Sequence, residues 1–221
     1  MYMKKIIVFA LSTMITLCLF AQTEKKNGVV IDHGARKIVD NLIKKLQNDM
    51  PISFDISYNI TGGDKTTERG KISFLSSGTK YKVTSEIFDD YCNGNTLWHY
   101  DKNTQEVEIS ELEDGNSIFN FIKIINVYAK SYRPKFIRKD FLNKTQVNII
   151  DLTPQKRSAV TKVRLWISTN SDTLLQMQVN INDGSKNTYT FSNYKSKVAT
   201  TDNDFVFPKA KYPKAKQIDL R

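Results

Sequence analysis

The residues that could do chemistry are few. The chain holds two histidines, His33 and His99, and two cysteines, Cys18 and Cys92. Neither histidine has a cysteine or histidine at metal-ligand spacing, so no metal site is expected. A hydrolytic triad would have to use His99 with a serine and an acid from elsewhere. No G-x-S-x-G elbow surrounds a candidate serine. The densest acidic stretch, Glu108, Glu111, Glu113 and Asp114, could supply a glycosidase pair. Charged residues of this kind are mostly solvated on a β-protein. No phosphate loop or dinucleotide fingerprint occurs, and no cofactor is expected. A protein that works through an apolar cavity needs none of these groups, and neither does a structural protein.

Aromatic and aliphatic residues carry the other signals. Trp98 and Tyr100 are two apart on a predicted strand and share one of its faces. They are either core aromatics or the wall of a ligand cavity. Between Ser117 and Ala129 lie Ile118, Phe119, Phe121, Ile122, Ile124, Ile125, Val127 and Tyr128. Asn116 or Ser117 can cap a helix there. A helix apolar nearly all round is buried, or covers something apolar. The β-branched content leaves a strand reading open.

The elements around these residues read as one unit. Lys4 and Lys5 precede an apolar run from Ile6 to Phe20, and Ala21 offers a cleavage site before Gln22. That pattern predicts a signal peptide over 1–21; the alternative is an uncleaved anchor. Cleavage takes Cys18 with it, and Cys92 alone cannot form an intramolecular disulfide. Residues 22–33 read as a flexible leader, and 34–221 as a single domain able to bury its own core. The formal charge is +10, falling to +8 without Lys4 and Lys5. The cations are dispersed apart from Lys209, Lys211, Lys214 and Lys216. An exported chain rarely meets nucleic acid, and none is expected as a partner.

Ile38, Val39, Leu42, Ile43 and Leu46 recur at helical spacing between Gly34 and Asn48, and Pro51 stops the helix. From Ile52 the period becomes two. Ile52, Phe54, Ile56, Tyr58 and Ile60 alternate with polar residues. Strands are predicted over Lys71–Leu75, Lys80–Phe88, Thr96–Tyr100, Glu106–Leu112, Thr145–Leu152, Val160–Ser168, Leu174–Asn182 and Asn187–Tyr194. Polar turns at roughly ten-residue spacing indicate an antiparallel meander. The later strands are apolar on one face: Leu175, Met177, Val179 and Ile181 alternate with Leu174, Gln176, Gln178 and Asn180.

Several of these segments, in this order, resemble periplasmic lipoprotein carriers of the LolA type. They are the helix ending Leu42-Ile43-Lys44-Lys45-Leu46, the strand Ser53-Phe54-Asp55-Ile56, and Gly70. The turn-strand Asn93-Gly94-Asn95-Thr96-Leu97-Trp98-His99-Tyr100-Asp101 follows, and Phe205-Val206-Phe207-Pro208 closes the series. The resemblance covers Gly34 to Arg221. It implies a mainly β, α+β fold: a curved antiparallel half-barrel whose concave apolar face is covered by helices. It also implies a monomeric, non-enzymatic periplasmic carrier. Acyl chains of lipoproteins would lie between sheet and helices, received from an inner-membrane ABC-type transporter and passed to an outer-membrane acceptor or membrane surface. Candidate cavity and lid residues are then Phe54, Ile56, Tyr58, Trp98, Tyr100, Phe121, Ile122, Ile125 and Val127. One departure stands out. The family commonly has an arginine latch after the strand that begins at the Gly70 equivalent. Here the turn reads Ser76-Ser77-Gly78-Thr79, and Lys80 is the nearest cation. The rival readings are a lipid-sensing envelope regulator on the same fold, and an envelope hydrolase acting through Glu108, Glu111 or His99.

Overall fold

The computed structural model describes residues 23–26, 29–62, 64, 66–112, 125, 127 and 130–221. A hairpin of β1 (Thr23–Lys26) and β2 (Val29–Asp32) leads into α1 (His33–Asn48). Then come β3 (Ile52–Thr61), β4 (Thr67–Ser77), β5 (Lys80–Ser85), β6 (Phe88–Cys92), β7 (Thr96–Asp101) and β8 (Glu106–Glu111). A second run holds β9 (Tyr132–Leu142), β10 (Thr145–Pro154), β11 (Val160–Ser168), β12 (Leu174–Ile181) and β13 (Lys186–Lys195). The chain ends with the 3-10 turn η1 (Asp202–Phe205) and β14 (Lys216–Asp219).

Twelve strands form one sheet in the order β14-β8-β7-β6-β5-β4-β3-β13-β12-β11-β10-β9. Two meanders, β3 to β8 and β9 to β13, meet at the antiparallel β3–β13 seam. The sheet is curved and does not close, and β14 pairs parallel with β8 at its far edge.

The helix α1 lies across the concave face because its sequence offers one apolar stripe. Ala35, Val39, Leu42 and Leu46 are buried, and Ile38 and Ile43 flank them. Asp32 fixes the entry: its Oδ1 accepts from the Ala35 amide at 2.8 Å, and its Oδ2 from the Phe136 amide of β9 at 2.8 Å. Arg36 adds a bond to the Tyr132 carbonyl at 3.1 Å. At the other end Asp49 accepts from Lys45 at 2.7 Å and from the Tyr194 hydroxyl of β13 at 2.8 Å. The helix therefore runs from β9 to β13, over the strands between them.

Several expectations change. Residues 23–32, read as a flexible leader, form the β1–β2 hairpin, and the helix starts at His33. In the sequence the two strands are separated by Asn27-Gly28, a dipeptide that favours hairpins. The predicted strand Lys80–Phe88 is two strands. Ser85 Oγ accepts from the Ile87 and Phe88 amides at 3.2 and 2.9 Å and turns the chain there. The segment after Tyr132 is an eleven-residue strand, β9, rather than a connection. In β12 the inward residue is Leu174, not Leu175. The β11–β12 register skips Leu175, pairing Ile167 with Leu174 and Trp166 with Gln176. Most of the predicted 117–129 helix lies outside the described residues; Ile125, Val127, Lys130 and Ser131 are helical.

Candidate binding face

The concave face is an apolar floor. From β3 it receives Ile52, Phe54 and Ile56, from β4 Ile72 and Phe74, and from β5 Tyr81 and Val83. The second meander adds Ile150, Leu152, Val163, Leu165, Ile167, Met177 and Val179. Strand alternation sends every second residue here, and the antiparallel registers keep those residues in rows. One row is aromatic. Phe54 stacks on Phe74 with centroids 4.9 Å apart and meets Phe191 edge-on at 5.7 Å, and Phe74 lies 6.4 Å from Tyr81.

Four of the sequence-predicted site residues meet on this floor. Phe54 and Ile56 are buried, Tyr58 packs against them half-exposed, and Ile125 is 1% exposed in the same cluster. Val127 is helical and 49% exposed. Phe121 and Ile122 lie outside the described residues. Burial declines along β3: Ile52, Phe54 and Ile56 are sealed, whereas Tyr58 and Ile60 are only half-buried. Their neighbours Tyr189, Phe191 and Ile181 are likewise half-buried. The apolar surface thus runs on past its sealed part. Gly70 shapes this end. It stands opposite Tyr58, and a Cβ there would overlap the Tyr58 ring and hydroxyl. The missing side chain lets the tyrosine lie across β4, and its hydroxyl reaches Glu68 at 3.3 Å.

Trp98 and Tyr100 require a correction. They share a face, but it is the convex one, opposite α1. Leu97 packs on the concave core instead. With Tyr91 and Val107 they form a second apolar cluster, covered by the C-terminal segment. Phe207 makes an edge contact with Tyr91 at 5.9 Å and tilted contacts with Tyr100 at 5.6 Å, and it stacks on Tyr212 at 5.4 Å. Tyr212 also lies 4.4 Å from Tyr100 and donates to Asp89 Oδ2 at 2.6 Å. Burial, and then the Asp89 carboxylate, push the Tyr212 phenol up to about 12. Asp89 is fully buried, with Lys102 Nζ at 2.8 Å from its other oxygen. The Phe-rich closing motif therefore seals the back of the sheet. Lys80, the cation nearest the turn that lacks the latch arginine, is bound to Asp202 of η1 at 2.6 Å. It is committed to that same back layer.

The catalytic alternatives can now be placed. His99 is on the concave side near the sheet's β8 end, with Nδ1 2.6 Å from Asp90 Oδ1. Its hydrogen bond to the buried Asp90 raises the imidazole above its usual value. Among the described residues no serine hydroxyl bonds to His99. Glu108 and Glu111 are exposed and three apart on β8, so they point to opposite faces and do not converge. Glu113 and Asp114 lie outside the described residues. No group of three histidine, cysteine, aspartate or glutamate side chains converges among the described residues. A depression of about 420 Å³ opens between Ser53, Asp55, Ser73, Leu75, Lys82, Thr84, Asn193 and Lys195, with Phe54 and Phe74 also in its lining. That lining mixes charged and hydroxyl side chains with apolar ones.

Comparison with known proteins agrees with this architecture. No curated protein matches the sequence. Among solved structures, the chain is similar to an uncharacterized conserved protein from Thermus thermophilus. The TM-score is 0.55 at 10% identity, covering 81% of this chain and 98% of that one. Weaker similarity links it to a LolA superfamily protein from Nitrosomonas europaea, with TM-score 0.41, 13% identity, and 78% and 97% coverage. The lipoprotein LppX of Mycobacterium tuberculosis is similar at TM-score 0.43 and 11% identity, with 73% and 99% coverage. The sequence profile described as "Outer membrane lipoprotein carrier protein LolA" matches residues 91–208, from β6 through the Phe207 anchor, and the chain belongs to that family.

Proposed function

We propose that this protein is an exported, periplasmic carrier that shelters the acyl chains of lipoproteins against its concave face. It would receive them from an inner-membrane ABC-type transporter and pass them to an outer-membrane acceptor, with no catalytic step. The observation that carries this reading is the apolar floor that outruns its sealed part. A sheet that needed only a core would end its apolar rows where burial ends. Here Tyr58, Ile60, Tyr189 and Phe191 continue them half-exposed. Membership of a lipoprotein-carrier family supports the same reading.

Energetics set a constraint. Each buried methylene contributes roughly 0.8 kcal/mol, so a fully buried sixteen-carbon chain would contribute about 13 kcal/mol. Cargo held so tightly would not leave on a useful timescale. A half-exposed floor buries a chain incompletely and brings that figure down.

The test is direct. The protein recovered from the cell envelope is analysed by mass spectrometry for co-purified acylated species, and binding of a fluorescent fatty acid and a triacylated lipopeptide is titrated. Tyr58→Ala and Phe191→Ala should weaken both ligands while unfolding near the wild-type midpoint. Absence of bound acyl species together with no saturable binding would refute the carrier reading. Convergent loss of affinity only in convex-face variants would move the site elsewhere.

A further inference from the structure

Among the described residues, Phe141 is the most exposed of the large apolar side chains, at 68%. It stands at the tip of the β9–β10 hairpin, on the last strand of the sheet. The turn is tight. Leu142 pairs with Thr145, and the two residues between them, Asn143 and Lys144, both have positive φ, 47° and 67°. This is the mirror-image turn whose twist suits a two-residue hairpin. The tip is therefore a fixed projection carrying Phe141, half-buried Leu142 and exposed Lys144.

Cations flank it. Arg138 and Asp140 pair at 2.7 Å and cancel. Lys139 and Lys144 are exposed. Arg133 and Lys135 follow along the same strand, also exposed. The nearest acid on the neighbouring β11–β12 turn is Asp172, half-buried. That turn touches the hairpin through the Thr169 amide on the Gln146 carbonyl at 3.0 Å.

Protection of a free sheet edge accounts for part of this. Charged residues and a proline on an edge strand discourage pairing with other chains, and Arg133, Pro134 and Lys135 serve that end. The same logic places no phenylalanine in water at the tip. A protein partner is also a poor match. A stable interface takes roughly 800 Å² from each side, whereas this apolar patch is two side chains on a two-stranded tip. An aromatic wedge beside lysines fits a different surface: the apolar part enters the headgroup layer while the ammonium groups meet lipid phosphates.

We infer that the β9–β10 hairpin docks the protein on an anionic phospholipid surface, with Phe141 inserted and Lys139 and Lys144 at the headgroups. Contact of this size is weak and reversible. It does not depend on acyl cargo, so it stands or falls separately from the carrier reading.

The experiment is flotation of the envelope-recovered protein with cargo-free vesicles, either pure phosphatidylcholine or equimolar phosphatidylcholine and phosphatidylglycerol. Wild type should partition onto the anionic vesicles at low salt and release at high salt. Phe141→Ser should lower the partition coefficient about tenfold, from partial loss of one buried aromatic. Lys139→Gln and Lys144→Gln should each lower it about fivefold. Leu220→Ser, at a residue 61% exposed beside the opposite sheet edge, should leave it unchanged. All four sites are exposed, so folding is not at risk, and thermal melts check it. No partition of wild type at low salt would overturn the inference and leave the tip to a protein partner. Equal partition of wild type and Phe141→Ser, or an equal loss in Leu220→Ser, would overturn it too.

Discussion

Phe207→Ala tests whether the C-terminal segment is a structural seal. Phe207 is 5% exposed and contacts three aromatic rings, those of Tyr91, Tyr100 and Tyr212. Truncating a buried phenylalanine costs about 3–5 kcal/mol. This one sits in a thin layer over a sheet, where neighbours can settle, so the lower end, about 3 kcal/mol, applies. For a chain of this length the loss corresponds to a fall of about 6–12 °C in Tm. A loosely draped tail would change stability by no more than about 0.5 kcal/mol. The local reporter is Trp98, half-buried in the same cluster. The chain has two tryptophans, so a Trp166→Phe background isolates its emission. Phe207→Ala in that background should red-shift Trp98 emission as water reaches the ring. Saturating fatty acid on the intact protein should leave Trp98 emission nearly unchanged, because ligand and indole are on opposite faces of the sheet. A melt within about 2 °C of wild type, well short of the expected fall, or a large Trp98 response to fatty acid, would refute the two-face arrangement.

Other outcomes follow from single contacts. Ile125→Ala should cost about 2–5 kcal/mol in urea unfolding, because that side chain is in the core, whereas Val127→Ala should cost under about 0.5 kcal/mol. Reduced lipopeptide affinity in Val127→Ala at unchanged stability would mark it as a cargo contact, and unchanged affinity would remove it from the site. Gly70→Ala should swing the half-exposed Tyr58 ring off β4; acyl affinity should change while the melt moves little, and an unaltered affinity would exclude Tyr58 from the floor's open end. The His99 value is raised in the folded state, so the Asp90 pair adds stability that is complete below the ordinary imidazole value of 6.5. That contribution is lost as pH rises through the raised value. Glu108 and Asp101 act on His99 in the same direction. Denaturant midpoints should therefore fall more between mildly acid and mildly alkaline pH for wild type than for His99→Gln; parallel profiles would show that the pair contributes nothing.

Local pattern determined much of this protein. The period-two run from Ile52 to Ile60 specified β3 and its apolar face, and the Val39, Leu42, Leu46 stripe specified α1 and the side it buries. The order of such segments carried the family. What sequence could not assign was which face of the sheet a given apolar pair joins. Alternation requires Trp98 and Tyr100 to point the same way, but a strand has two faces, and here both are apolar. The choice is made by register with β6 and β8, and by Phe207 and Tyr212, more than a hundred residues later in the chain. The β3–β13 seam is of the same kind, a pairing across more than a hundred residues that no local period announces. Leu174 turned inward in place of Leu175 because one skipped pairing shifted the alternation. Local period follows from side-chain geometry within one strand, whereas the side on which each strand presents its apolar residues is set only once distant strands have paired.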